Sequence, residues 1–225
     1  MLPNDHAFPP ERELFSDERN LMVEHQLRRR GIDDERVLQA MRTVPRHEFV
    51  SRNDWPEAYA DHPIVIAEHQ TTSQPYIIAA MLQAAMIQPT DRALEIGAGS
   101  GYQTALLAEL ASQVFAVERH ATLVQAARET LERLGYNNIA LVAGDGSLGL
   151  PQAAPYDVIL VSAAAPRIPP ALVEQLAAGG RMVVPIGQTD QQVLKLVRKS
   201  ADGITETELE GCRFVPLIGQ AGFGA

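Results

Sequence analysis

Glu95 stands two residues before Gly97 in the run Leu94-Glu95-Ile96-Gly97-Ala98-Gly99-Ser100-Gly101-Tyr102. Glycine allows positive φ and close approach of backbone to a ligand. A helix opening behind such a turn points its unpaired N–H groups at whatever lies above. A dinucleotide site asks for G-x-G-x-x-G, but here the third glycine position is Tyr102 and the spacing is G-x-G-x-G. A carboxylate at Glu95 repels a pyrophosphate and suits an ammonium group or a sulfonium-bearing amino acid. The pattern favours S-adenosylmethionine over a dinucleotide as the cofactor.

Two further acids follow at similar places. Gln113-Val114-Phe115-Ala116-Val117-Glu118 reads as an apolar strand ending in an acid, where a carboxylate can accept hydrogen bonds from both ribose hydroxyls. The plainer role for Glu118 is a first-turn acid of the helix that follows, and position alone balances the two. Ile139–Ala143 leads into Gly144-Asp145-Gly146. Asp145 and Gly146 at that exit suit an adenine amine and its close approach, although Asp-Gly also marks an ordinary turn. The fourth constellation is Gln70-Thr71-Thr72-Ser73-Gln74-Pro75. Ser73 or Gln74 can cap a helix begun by Pro75. Three successive hydroxyls there are also placed to bind a substrate carboxylate, with Ser73 as an orienting donor rather than a nucleophile.

These residues need a scaffold, and the periodicity supplies an α/β one. Residues 17–30 and 33–44 read as two helices, the first closed by Arg28-Arg29-Arg30 and Gly31, the second capped by Asp33 or Asp34. Residues 45–74 are irregular but apolar, which suggests a packed segment covering the ligand. A helix over Pro75–Met86 precedes a sheet running from Arg92 to about Val197, with a terminal strand pair after it. Pro185 is expected to end its strand at the substrate side, and Cys212–Val215 to form a late strand. The expectation is a Rossmann-like, doubly wound, mostly parallel sheet with N-terminal helices. Residues 1–15, carrying Pro3, Pro9 and Pro10, read as a flexible arm. Residues 16–225 read as one domain, of which 16–90 form the helical and acceptor-loop portion.

Composition narrows the partners. Against 19 Lys and Arg stand 28 acids, a net charge of −9, which argues against a nucleic-acid surface. One cysteine, Cys212, excludes an internal disulfide. The six histidines lack ligand spacing, so no metal is expected. No long apolar span suggests a membrane segment and no leader-like start is evident, which points to the cytoplasm.

Several stretches together carry a resemblance. They are Val44-Pro45-Arg46-His47-Glu48-Phe49-Val50, Tyr59-Ala60-Asp61, Gln70–Pro75, Leu94–Tyr102, Ala-Ala-Pro ending at Pro166, and Phe214-Val215-Pro216-Leu217. From about Leu27 to Leu217 the chain resembles the protein-L-isoaspartate O-methyltransferases, which use S-adenosylmethionine to methylate the α-carboxylate of isoaspartyl residues in damaged proteins. The resemblance implies Ser73 as the active-site serine and Gly97, Gly99, Glu118 and Asp145 as cofactor-binding positions. It also implies isoaspartyl proteins or peptides as partners and a monomer. The chain departs from the family pattern at Ala67, where glycine is usual, at His69, and at Thr72, where an apolar residue is usual. The residues leave open a small-molecule or dedicated peptide acceptor, and a non-catalytic protein-binding homologue.

Overall fold

A computed structural model describes residues 14–188 and 191–224. The arm expected over 1–15 lies outside the described residues except for Leu14 and Phe15; the Phe15 ring packs 5.0 Å from His47. Helix α1 (Ser16–Leu21) continues through a wider π turn, Met22–Leu27, into a tight 3-10 turn, Arg28–Arg30. Gly31 stops it at φ 92°, a left-handed conformation that glycine adopts without a Cβ clash. Helix α2 (Glu35–Thr43) starts at Asp34, whose side chain accepts from the N–H groups of Arg36 and Val37. It buries Val37, Leu38, Ala40 and Met41.

The segment after α2 winds through short turns. It then forms a two-strand hairpin of β1 (Ile64–Val65) and β2 (Thr71–Thr72), paired antiparallel. Helix α3 (Pro75–Ala85) opens with Pro75, where a missing N–H is harmless. There follow β3 (Arg92–Ile96), α4 (Tyr102–Leu110), β4 (Gln113–Glu118), α5 (Ala121–Arg133), β5 (Ile139–Ala143), β6 (Tyr156–Val161), α6 (Pro170–Gln175), β7 (Leu176–Gln188), β8 (Gln191–Ser200) and β9 (Gly203–Cys212).

Seven strands make one sheet in the order β5-β4-β3-β6-β7-β8-β9. The pairs from β5 to β7 are parallel, and β8 and β9 are added antiparallel. Alternation along each strand feeds two cores. Ala93, Val158 and Leu160 join the helical face with α2, α3, α4 and α5, while Leu94, Ile96, Ile159 and Val161 join the opposite face with α6. The chain leaves β3 toward β4 on one side, and β6 returns on the other. That reversal opens a crevice at the carboxyl ends of β3 and β6.

Two local expectations are corrected. Pro185 does not end a strand: β7 runs on to Gln188, with Pro185 opposite Leu194 of β8. The Pro185 carbonyl accepts from Ala165 N–H on the other side, past the end of β6. A residue's N–H and C=O point to the same edge of a strand, so the missing N–H removes nothing from the β7–β8 ladder. The late strand also ends at Cys212 rather than starting there; Phe214 N–H and C=O are instead held by the Gln192 side chain at 2.7 and 3.1 Å.

Candidate active site

The glycine turn lies at the crevice. Gly97, Gly99 and Gly101 have φ of 85, 55 and 89°, so each takes a backbone conformation that a side chain would strain. Gly101 also explains the altered spacing. A Cβ there would meet Ala127 of α5 at 3.2 Å, so it performs the close helix packing that a third glycine performs in dinucleotide sites. Tyr102 can then be large, and it is fully buried.

Glu95 points from β3 beneath α4 and is fully enclosed. Its Oε2 accepts from Thr104 Oγ1 at 2.5 Å, while Oε1 is buried and makes no hydrogen bond of normal geometry. Burial pushes its carboxyl up to about 8, the Thr104 and Gln103 side chains oppose that rise, and the charge of Glu118 adds to it. A buried acid with one bare oxygen at the edge of a glycine turn is matched by a cationic ligand. Glu118, 5% exposed, accepts from Gly99 N–H and from His120 N–H, each at 3.0 Å. It therefore serves the turn and the start of α5 together, and it lines the crevice with Gly97, Gly99 and Gly146.

Asp145 is not brought to that lining. Its Oδ1 accepts from Ser147 N–H and Oγ–H, and its Oδ2 from Gln220 N–H at 2.9 Å. Burial alone would raise its pKa, but these bonds outweigh it and hold the carboxyl below its ordinary value. The acid anchors residues 219–221 to the exit of β5. Gly146 stands in the crevice instead, where a Cβ would fall 2.6 Å from Ile96 Cγ2.

The acceptor segment divides its three hydroxyls by strand alternation. Thr72 is buried, with Arg46 Nη1 3.4 Å from its hydroxyl. Thr71 and Ser73 instead line a cavity of about 930 Å³ bounded by the first turn of α3 and the ends of β8 and β9. All three border the smaller space beside Glu95 and Gly97. Ser162, at the exit of β6, borders both spaces, and its Oγ accepts from Gln103 Nε2 at 2.8 Å. Ser162 is not among the residues singled out from the sequence; the β3–β6 pairing brings it to the glycine turn.

Ala67 is not strained. The positive φ values fall on Glu68 (57°) and His69 (55°), so the turn takes its left-handed residues one and two places later. Glu68 Oε1 accepts from Thr122 Oγ1 at 2.5 Å, which ties the hairpin tip to α5. A Cβ on Gly99 would lie 3.5 Å from Ile66 Cδ1, so the hairpin covers the glycine turn. Among the described residues no group of three or more His, Cys, Asp or Glu is placed to hold a metal ion. Nor is any helix there long and apolar enough to cross a membrane.

A parallel sheet with this crossover, a glycine turn and acids at successive strand ends defines an S-adenosylmethionine-dependent methyltransferase fold. The family profile described as Protein-L-isoaspartate(D-aspartate) O-methyltransferase (PCMT) matches residues 17–222. The chain belongs to that family. It is 57% identical over 217 residues to the Protein-L-isoaspartate O-methyltransferase of Koribacter versatilis, covering 96% of this chain and 98% of that one. The protein of the same name from Methanoculleus marisnigri is 54% identical over 208 residues, 92% and 94% of the two chains. Among solved structures, one protein-L-isoaspartate O-methyltransferase superposes with a TM-score of 0.82 at 28% identity, covering 92% of this chain and 67% of its own. A Plasmodium falciparum structure described as a protein-L-isoaspartate O-methyltransferase, in complex with S-adenosyl-L-homocysteine, gives 0.78 at 27% identity over 89% and 98%.

Proposed function

We propose that this chain transfers a methyl group from S-adenosylmethionine to the α-carboxylate of L-isoaspartyl residues in proteins or peptides, the first step of their repair. The observation that carries the reading is the position of Ser73, which lines both the 930 Å³ cavity and the space beside Glu95 and the glycine turn. An acceptor entering from the first space and a cofactor seated in the second meet at that hydroxyl. Membership of the family supports the same acceptor. We assign the chain to the cytoplasm as a monomer; one cysteine in 225 residues fits a reducing compartment.

The cofactor supplies an electrophilic methyl group on a sulfonium sulfur. Glu95 Oε1 would take its ammonium group, Glu118 its ribose hydroxyls, and Gly97, Gly99 and Gly146 would let the backbone lie against it. Asp145 would act on the adenine end through the segment it anchors. The acceptor carboxyl, with a pKa of roughly 3.5, is already ionised at neutral pH, so no base is required. Ser73 donates to one carboxylate oxygen and leaves the other to attack. Its hydroxyl makes no hydrogen bond to the described residues, so the donor is available. The hairpin covers the turn at Ile66, and alignment does most of what remains.

Purified protein should transfer a labelled methyl group to an isoaspartyl peptide and not to its matched aspartyl peptide. Equal labelling of both peptides would replace the assignment with a broader carboxyl methyltransferase, and labelling of neither would sink it.

The enclosed acid gives a pH signature. Free protein keeps the Glu95 proton below about pH 8, whereas an ammonium ligand requires the carboxylate. Affinity for S-adenosylhomocysteine should therefore climb as pH rises from 6 toward 8, by up to about tenfold per unit. Stability of the free fold should run the other way: the stabilising proton is fully present below the ordinary pKa of 4.5 and is lost through about 8. Titration calorimetry on wild type and Glu95→Gln separates the two effects. A flat wild-type affinity profile would remove Glu95 from the ammonium site.

A further inference from the structure

Behind Ser73 lies a cation that nothing in the cofactor site requires. Arg46 is fully buried. Its Nε donates to Ala58 O at 2.8 Å and its Nη2 to Ser73 O at 2.9 Å, with Nη1 3.4 Å from Thr72 Oγ1. The guanidinium carbon lies 4.8 Å from the centre of the Tyr102 ring, in the first turn after the glycines. Among the described residues no carboxylate forms an ion pair with it. The acid whose charge acts on it, Asp61, is committed elsewhere: it pairs with Arg30 and accepts Tyr76 N–H at 2.9 Å.

Enclosing a guanidinium without a carboxylate is costly. A neutral amide could hold the same backbone carbonyls without that cost, so the charge itself calls for a use. Of the groups it touches, Ser73 is the one that also lines the 930 Å³ acceptor space. Building on the isoaspartyl reading above, we propose that Arg46 is a positioning and specificity-determining residue for the acceptor. Its planar fork fixes the Thr72–Ser73 segment from behind, and its unbalanced charge selects a substrate bearing a free carboxylate. The incoming carboxylate is then the counter-ion that the folded chain lacks. At an effective dielectric of about 20, a unit charge one residue away changes affinity on the order of tenfold.

The two roles separate in Arg46→Gln, which loses the charge, and Arg46→Lys, which keeps it but loses the fork. Fluorescence anisotropy measures binding of an isoaspartyl peptide and its α-carboxamide analogue to one protein sample saturated with S-adenosylhomocysteine. The ratio of the two affinities does not depend on how much of the sample is folded. Wild type should favour the acid about tenfold, Arg46→Gln should bind both alike, and Arg46→Lys should keep the preference while kcat falls about tenfold. Loss of the preference in Arg46→Lys, its survival in Arg46→Gln, or its absence in wild type would each overturn the proposal. Should Arg46→Gln fail to fold, the neutral Arg46→Met is read in its place, with the same expected loss of preference. Methyl transfer is scored separately. Selective binding of the acid without transfer overturns the functional reading and leaves Arg46 in its role, and transfer without selective binding does the reverse.

Discussion

Replacing Glu118 with alanine is expected to weaken S-adenosylhomocysteine binding by about a hundredfold or more, the largest single effect in the cofactor site. The carboxylate accepts from Gly99 N–H and His120 N–H, both at 3.0 Å. It also has lone pairs left for two ribose hydroxyls. Its loss leaves two half-buried donors without their acceptor and frees the turn that holds Gly99. Each such donor costs roughly 1–3 kcal/mol, and a hundredfold corresponds to about 2.7 kcal/mol. Calorimetry on the variant, beside a melting curve to show that it folds, measures the effect. Undiminished affinity in a folded Glu118→Ala protein would confine Glu118 to capping α5. Nicotinamide dinucleotides should bind wild type far more weakly, because an acid bordering the glycine turn disfavours a pyrophosphate there.

The second large effect belongs to catalysis. Ser73→Ala should lower kcat for an isoaspartyl peptide by about a hundredfold and leave cofactor affinity within about twofold. The hydroxyl orients an acceptor that is already charged, and misalignment of reacting atoms is penalised steeply. The Ser73 carbonyl, which Arg46 holds at 2.9 Å, survives the substitution, so the segment keeps its path. Single-turnover transfer with saturating cofactor isolates the chemical step. A variant that transfers at the wild-type rate would leave Ser73 a wall of the cavity and nothing more.

Local signals made the glycine turn of the candidate site readable. A strand, glycines and a helix in succession announce the turn. Glu95 and Glu118 stand at fixed places relative to it, so their positions at the carboxyl ends of β3 and β4 follow from periodicity alone. What was not readable depends on residues far apart in sequence. The bond from Gln220 N–H to Asp145, across 75 positions, is invisible locally. Ser162 reaches Gln103 across 59 positions. Arg46 reads as one residue of a motif until the fold sets it 27 positions on, behind Ser73. Pro185 misled because the rule against proline in a strand concerns the ladder, and its nitrogen faces away from β8. At Ala67 the sequence shows that the usual glycine is missing, but not that Glu68 and His69 take the positive φ values of the turn.

The central strand carries a consequence for how the chain acquires its shape. β3 takes its neighbours from downstream on both sides, bonding at Arg92 to Gln113, 21 positions on, and to Asp157, 65 positions on. The sheet's other end, by contrast, is a run of adjacent antiparallel strands, β7 to β8 to β9. Loop-closure entropy delays distant parallel pairings relative to local ones. During refolding the β7–β9 meander can form while the β3–β6 seam is still open, and Gly97 faces Ser162 only once that seam closes. The ability to bind nucleoside thus arrives with the slow, non-local step, which makes ligand capture a reporter of complete assembly where backbone spectroscopy would already register most of the secondary structure.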